Sequence, residues 1–379
     1  MSTANGESPE KKLWQLELDE YIRQGEPNRA QKAESWQTAI GLQQVDGLEV
    51  SEYLIDTAKL HVEGDIDTQG ARERIESYYE QRRSRGIIER KTEEADLVSQ
   101  RTVELLGEKA FTLSPVTWIG IHRRLFEGIF DGAGKIRDYN ITKKEWVLNG
   151  DTVTYAPCTD LVPTLDYDFG RERDFSYAEL SVSQAVEHIA RFIAGVWQIH
   201  PFCEGNTRST AVLLIKYLRT MGFEVTNEPF ENNSWFFRNA LVRANYTNYE
   251  ASVRPTLEPL TNFLENVMLG ASHPLLNREL HVDYAEHSTD LEIRSANTTT
   301  PKCNICTLDC TLGEQATLIA ISRDPSATQK ELASRLDVSE RTVKSRTISL
   351  QEKGLLQRVG GKRNGTWEIP QNVKRALEH

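Results

Sequence analysis

The chain has 379 residues, 39% of them hydrophobic, and carries 45 Lys and Arg against 56 Asp and Glu, a formal net charge of -11. That length and apolar content suffice for two or three domains with sizeable cores, while the acidic balance argues against a protein that coats nucleic acid over its whole surface. No apolar run approaches a membrane span, Met1 to Lys12 lacks a signal-peptide core, and the five cysteines are then expected to be reduced thiols in a cytosolic, membrane-free protein.

In chain order, the first region (residues 1–90) reads as helical. Trp36-Gln-Thr-Ala-Ile-Gly-Leu-Gln-Gln-Val-Asp-Gly-Leu48 is followed by Val62-Glu-Gly-Asp-Ile66 and a helical run to Tyr79. The second region (91–270) contains Gly134-Lys-Ile-Arg-Asp-Tyr-Asn-Ile141 and then Trp146-Val-Leu-Asn-Gly-Asp-Thr-Val-Thr-Tyr155. In the latter, Asn149-Gly150 sits between β-prone runs, and because both residue types tolerate positive φ the pair predicts a tight hairpin turn. Such a ribbon either pairs with an extended target segment through its main chain or simply covers the core. From Ser183 to Ile199, Val186, Ile189, Phe192, Ile193, Val196 and Trp197 recur at spacings of three and four, which marks one buried helical face. Asn206 to Met221 repeats the pattern with Ala211, Leu214, Ile215 and Leu218, and Gly222 is its stop signal.

His200-Pro-Phe-Cys-Glu-Gly-Asn-Thr-Arg208 joins those two helices and concentrates nucleotide chemistry. The unpaired N–H groups and positive end of the second helix point into the loop, and such an end attracts phosphate. His200, with an ordinary pKa of ~6.5, suits a general base. Glu204 offers one hard oxygen, which is enough for Mg²⁺ when phosphates and water complete the shell. Gly205 lets the backbone approach an anion, Asn206 adds an amide donor, and Arg208 presents a planar fork for phosphate oxygens. Phe202 anchors the loop in the core, and Cys203 fills a variable position.

These residues resemble the Fic family signature, His-x-Phe-x-(Asp/Glu)-Gly-Asn-x-Arg, and the resemblance runs over roughly Leu113 to Gly270. It implies a mainly α fold, a Fic helical bundle with a β-hairpin flap, and transfer of a nucleoside monophosphate, most often AMP from ATP, to a hydroxyl of a target protein. On that resemblance His200 is the base, Glu204 holds Mg²⁺, and Gly205, Asn206, Thr207 and Arg208 bind the nucleotide. Phe237 and Asn245, in Asn233-Ser-Trp-Phe-Phe-Arg-Asn-Ala-Leu-Val-Arg-Ala-Asn245-Tyr246, border the base or belong to the core. Ala211 stands where many Fic enzymes carry a second arginine for the γ-phosphate, and Thr207 replaces a second glycine at a place where a hydroxyl can cap the helix. This scheme requires an open pocket with the His200 ring within reach.

The first region is similar to the small antitoxin partners that inhibit some Fic enzymes through a Ser/Thr-x-x-x-Glu-Gly helix. Here the matching positions are Leu42 and Asp46-Gly47, so the shorter acid faces an alanine, and the expectation is an inhibitory module fused to the enzyme and rewired. Thr261-Asn-Phe-Leu-Glu265-Asn266 is a second fit to that pattern.

Residues 271–312 read as a linker with a cysteine cluster. Cys303, Cys306 and Cys310 have the spacing of half a zinc site, with His281 or His287 as a fourth ligand, or are thiols packed inward. Residues 313–379 contain two apolar-periodic helices from Thr328 to Leu356, with Ser339 as an N-cap, and then two strands around a Gly-rich basic tip in Gln357 to Ile369. They resemble the winged helix-turn-helix family. This part holds 12 Lys and Arg against 8 Asp and Glu, a local balance of +4 in an acidic chain. Arg341, Lys344, Ser345 and Arg346 are expected to face DNA, with Lys362 and Arg363 on the wing. A DNA-bound regulator with a nucleotide-sensing or inactive Fic core is the alternative to an enzyme, and homodimerisation is left open.

Overall fold

The structure, a computed structural model, describes Leu18 and residues 27–87, 89–223, 225, 228–284, 310–336, 338–360, 366–371 and 373–374. It divides into two units: the described residues up to Gly170 with Ile193–Phe263 and Leu275–Tyr284, and Arg171–Phe192 with Leu264–Pro274 and the described residues from Cys310 onward.

The first unit is helical, as expected. Its N-terminal part comprises α1 (Pro27–Gly41), a 3-10 turn (Leu42–Asp46), α2 (Glu52–Glu63), α3 (Thr68–Ser84) and α4 (Arg90–Gly107). Leu18, Trp36, Ile40, Leu54, Ala58, Ile75 and Val103 form one apolar cluster among these helices. Several polar groups inside it are paired. Asp96 Oδ1 accepts from the Ser51 backbone at 2.9 Å and Oδ2 from the Tyr79 hydroxyl at 2.6 Å, while burial raises the Asp96 pKa. Trp36 Nε1 donates to His61 Nδ1 at 3.0 Å. Ser51 caps α2 by accepting from Leu54 N, and Asp67 caps α3 by accepting from Gly70 N.

There follow α5 (Pro115–Phe126), α6 (Leu161–Arg173), α7 (Val182–Ile199), α8 (Asn206–Thr220), α9 (Glu228–Asn245), α10 (Glu258–Leu269) and the short α11 (Asn277–Leu280). The periodicity located α7 and α8 to within a residue or so, and Val186, Ile189, Ile193, Val196 and Trp197 are buried. Helix α8 goes further than an amphipathic stripe: Asn206 to Leu218 are all buried. It sits inside the unit because its polar residues are satisfied locally. Ser209 Oγ and Thr210 Oγ1 donate to Asn206 O, and Lys216 Nζ donates to Leu105 O at 2.6 Å and Glu108 O at 2.7 Å.

The turn expected at Asn149-Gly150 is present, with φ of 57° and 85°. The hairpin around it is not. Trp146–Leu148 form a 3-10 turn, and the arms carry no strand ladder, although Glu145 N donates to Asp151 O at 2.9 Å. Side chains replace the ladder: Lys143 N donates to Thr152 Oγ1, and Tyr246 donates to Asp151 Oδ2 at 2.6 Å.

The second unit includes a winged helix of α12 (Leu312–Arg323), α13 (Gln329–Arg335), α14 (Glu340–Glu352) and the antiparallel pair β1 (Gln357–Val359) and β2 (Thr366–Glu368), in register Arg358 with Trp367. Capping explains its helix starts. Thr311 with Glu314 and Thr328 with Glu331 are reciprocal capping boxes, and Ser339 caps α14 by accepting from Thr342 N. Leu318, Ile321, Leu332, Val343, Leu350, Leu356 and Trp367 make its core, with Cys310 packed against them. Cys303, Cys306 and His287 of the zinc expectation lie outside the described residues. No described helix is long and apolar enough to cross a membrane.

Candidate active site

The loop between α7 and α8 is fixed by backbone demands. Gly205 opens α8 at φ 73°, and a Cβ there would lie 2.3 Å from the Phe126 ring, so no other residue fits without displacing that ring. Asn206 turns inward: its Oδ1 accepts from Phe202 N at 3.1 Å and its Nδ2 donates to Phe202 O at 2.7 Å. The amide expected to meet an anion is thus spent on shaping the loop. Thr207 is likewise internal, its Oγ1 accepting from Trp197 Nε1 at 3.0 Å, and it does not cap α8. Phe202 anchors the loop as expected, stacked on His122 with ring centres 3.7 Å apart.

Two residues not singled out from the sequence hold this loop. His122 donates from Nε2 to Glu204 O at 2.9 Å and accepts at Nδ1 from Gly134 N at 2.9 Å, a neutral ring whose pKa burial pushes down to about 4. Arg137 donates from Nε to His200 O at 2.8 Å and from Nη1 to Tyr139 O at 2.7 Å, while its own N–H reaches Pro201 O at 2.9 Å. Helix α7 has no basic residue in its last turn, so its carbonyl end needs a cation from elsewhere; that demand was the available signal for Arg137.

His200 adopts φ 51°, a left-handed conformation costing on the order of 1 kcal/mol for a non-glycine residue. Its ring lies against Tyr155 and Trp197, with centroids 4.2 and 5.1 Å away, and the residue is only 3% exposed. Burial first, and then the Lys143 ammonium, hold its pKa well below the ordinary value, against the pull of the Trp197 carbonyl. Nδ1 lies 3.2 Å from Trp197 O, so it carries the hydrogen, and Nε2 is the basic nitrogen. The ring is therefore neutral and correctly tautomeric, but covered, contrary to the open pocket that the sequence scheme required.

The charged groups are paired with one another. The Glu204 carboxylate is 60% exposed and meets Lys143 Nζ at 2.8 Å. Arg208 is 3% exposed, lies over the Phe126 ring at 4.8 Å, and has three acceptors around its fork. Nη1 donates to Gln43 Oε1 at 3.0 Å, Nη2 to Glu94 Oε1 at 2.6 Å, and Nε is ion-paired with Asp46 Oδ2 at 2.8 Å, at an angle outside hydrogen-bond geometry. Gln43 and Asp46 belong to the 3-10 turn that ends at Gly47 in left-handed conformation. Close packing pins that turn: a Cβ on Gly41 would lie 2.4 Å from Glu231 Cα, and Ser234 Oγ donates to Gly41 O at 2.7 Å. Arg238 also reaches Asp46, at 3.4 Å, and sets Nη2 3.1 Å from both oxygens of Glu145.

Other expectations need correction. Phe237 is fully buried between Phe230 and Phe263, with centroids 5.4 and 5.0 Å away, so it belongs to the core and borders no ligand. Asn245 spends its amide on Ala194 O and Leu241 O, both at 2.9 Å. Glu265, the second inhibitory candidate, pairs with His273, whereas the carboxylates on Arg208 are Asp46 and Glu94. In the winged helix Arg341, Lys344 and Ser345 are exposed, but Arg346 is buried with its guanidinium against Gly313 and cannot face DNA from there. Lys362 and Arg363 lie outside the described residues. His281, the candidate fourth zinc ligand, packs its ring on Trp146 and accepts from Asp283 N at Nδ1.

Residues 112–218 match the model of the Fic/DOC family, and residues 314–357 match that of a winged helix-turn-helix DNA-binding domain. The chain carries a Fic/DOC-family domain followed by a winged helix-turn-helix. Among curated proteins it is 23% identical over 164 residues to the protein adenylyltransferase VbhT of Bartonella schoenbuchensis, an alignment covering 43% of this chain and 33% of that one. The chain thus spans about a third of the length of that relative. A solved Fic family protein from Desulfovibrio desulfuricans G20 aligns over 95% of this chain and 97% of its own, at 11% identity and a TM-score of 0.44.

Proposed function

We propose that this chain is a Fic-type protein adenylyltransferase that its own N-terminal region holds shut. The observation that carries the reading is a single loop presenting a neutral imidazole, an outward carboxylate and a buried guanidinium, within the stretch that matches the Fic/DOC family. In the reaction, His200 Nε2 takes the proton of a Ser, Thr or Tyr hydroxyl on a target protein. The freed oxygen attacks the α-phosphorus of ATP in line, an O–P bond forms, the bond to the β-phosphate oxygen breaks, and pyrophosphate leaves. Arg208 and the amide end of α8 stabilise charge on the phosphates, a largely electrostatic contribution. Glu204 fits Mg²⁺: its carboxylate faces outward and already holds a cation, Lys143. Bound there, Mg²⁺ would screen the phosphate charge.

Asp46 and Gln43 occupy the Arg208 fork, and Tyr155 and Trp197 cover the His200 ring, so catalysis requires both the fork to be vacated and that ring to be uncovered. The test is incubation with α-labelled ATP and Mg²⁺ in a host lysate, using wild type, Asp46→Ala and Asp46→Ala with His200→Ala. Labelling that appears with Asp46→Ala and vanishes with the added His200→Ala supports the proposal. Equal labelling by both variants, or none, removes it. The second reading, a DNA-bound regulator whose Fic core senses nucleotide without transfer, is favoured by Ala211 and by the exposed Arg341 and Lys344. Salt-dependent binding to a defined promoter with no label transfer would select it.

A further inference from the structure

One buried and one half-buried guanidinium converge on one carboxylate. Asp46 sits 2.8 Å from Arg208 Nε and 3.4 Å from Arg238 Nη1, so a single pair of oxygens bridges α8 and α9. Of the three acids paired with these arginines, Asp46 comes from the 3-10 turn and touches both, and at 32% exposure it is less buried than Glu94 at 18% and Glu145 at 4%. A carboxylate shared by two guanidinium forks has the charge and the oxygen spacing of part of a phosphate, which is the group such forks suit best. Arg238 is placed to act on it. Its second nitrogen is fixed by Glu145, while Nη1 faces Asp46 Oδ1 and the Val45 carbonyl, each at 3.4 Å, and its charge is felt at His200. Position 211, one turn beyond Arg208, is an alanine buried in α8 and supplies no cation.

Resting on the adenylyltransferase reading, we propose that Arg238 is a phosphate-binding residue: it holds the terminal phosphates of the nucleoside triphosphate, and Asp46 occupies their place in the closed form. Arg238 then distinguishes a triphosphate from a monophosphate, while Arg208 contacts both.

The experiment uses the full chain, with Asp46→Ala as parent so that the site is vacated. Calorimetric titrations with ATP and with AMP, both with Mg²⁺, compare this parent with a variant that adds Arg238→Gln and Glu145→Gln. The paired change avoids leaving the Glu145 charge buried without a partner, and Arg238→Lys in the same parent serves as a second variant that keeps the charge. The expected result is a loss of ATP affinity of about 10- to 100-fold, the range of one charge-assisted hydrogen-bonded contact, in the double-glutamine variant. AMP affinity should change little, and Arg238→Lys should recover part of the preference for ATP. If ATP and AMP weaken equally, or ATP binding is unaltered, Arg238 does not hold the terminal phosphates, and the adenylyltransferase reading survives. If the Asp46→Ala parent binds neither nucleotide, that reading fails and takes this inference with it.

Discussion

Removing the Asp46 carboxylate is the most informative single perturbation. In the closed form this group pairs with Arg208 at 2.8 Å and Arg238 at 3.4 Å. An isolated charge-assisted contact to a buried partner contributes about 1.5–3 kcal/mol, but Asp46 is 32% exposed, and solvent screening reduces that to roughly 1–2 kcal/mol. Under the proposed function, ATP has to displace this pair before its phosphates reach the two forks. Asp46→Ala or Asp46→Asn therefore strengthens ATP binding by about 5- to 30-fold, since each 1.4 kcal/mol is worth a factor of about ten. The same variants lower folding stability by about the same 1–2 kcal/mol, because the native state loses what the ligand no longer has to break. Calorimetric titration with ATP and Mg²⁺ reads the first effect and denaturant unfolding the second. Asp46→Asn separates charge from space: it keeps the side-chain volume, so an electrostatic latch predicts that it behaves like Asp46→Ala. If neither variant gains ATP affinity while Arg208→Ala still weakens binding, Asp46 does not guard the arginine and the latch is refuted.

Gly41→Ala places a methyl group 2.4 Å from the Glu231 backbone, so it is expected to cost about 1–3 kcal/mol of stability and to loosen the Asp46 turn, read as a lower Tm with higher ATP affinity. In the winged helix, Arg341→Ala with Lys344→Ala should weaken DNA binding and lower the salt slope by up to about 0.9 for each phosphate no longer neutralised, whereas Arg346→Ala should lower stability and leave that slope alone. His61 and His122 are buried with pKa values pushed down to about 4, against ~6.5 in the unfolded chain. Their contribution to stability is full above the unfolded value and is lost as the pH falls toward 4, because the unfolded chain takes up protons that the folded one refuses. Unfolding free energy should therefore drop by on the order of 2 kcal/mol per ring between about pH 7 and pH 5, and His122→Gln should flatten that dependence.

Much of the site was legible because chain order and spacing carry it. His200 to Arg208 gather their chemistry in one loop, and the apolar periods on either side place the two helices that hold it. The winged helix was readable from its punctuation, since Ser339 lies where an N-cap is required. What was not legible depends on direction and distance. Periodicity gives no sign that Asn206 bonds back to Phe202, or that Phe237 points toward Phe263 and away from any ligand. Arg346 lies two residues beyond the exposed Lys344, and a helix turns about 200° over that interval, which takes its side chain to the opposite face. The β-prone runs beside Asn149 formed no ladder because neither arm meets a backbone partner over more than a residue or two, and the turn residues obeyed their own φ preference regardless. Arg238 was hidden in an aromatic run, although the cation missing at position 211 was reason to look for one on a neighbouring helix.

Under the proposed function, the closed state is one of electrostatic self-occupancy. Arg208, Arg238 and Lys143 are matched by Asp46, Glu94, Glu145 and Glu204, so the cluster already carries one excess negative charge before any ligand arrives. A phosphate brought to about 4 Å from an undisplaced carboxylate meets a repulsion of about 4 kcal/mol at the effective dielectric of a protein surface, which cancels the attraction of one arginine at the same distance. At least one acid must leave. Glu94 lies within α4, a long helix packed on α1, and Glu145 is held by both Arg238 and the Asp151 carbonyl. Asp46 ends a five-residue 3-10 turn and is a third exposed, so its side chain can rotate outward while the buried Leu42, Gln43 and Val45 hold the turn in place. The N-terminal region therefore need not dissociate to permit binding. Rotation of the Asp46 side chain is enough to exchange one carboxylate for one phosphate.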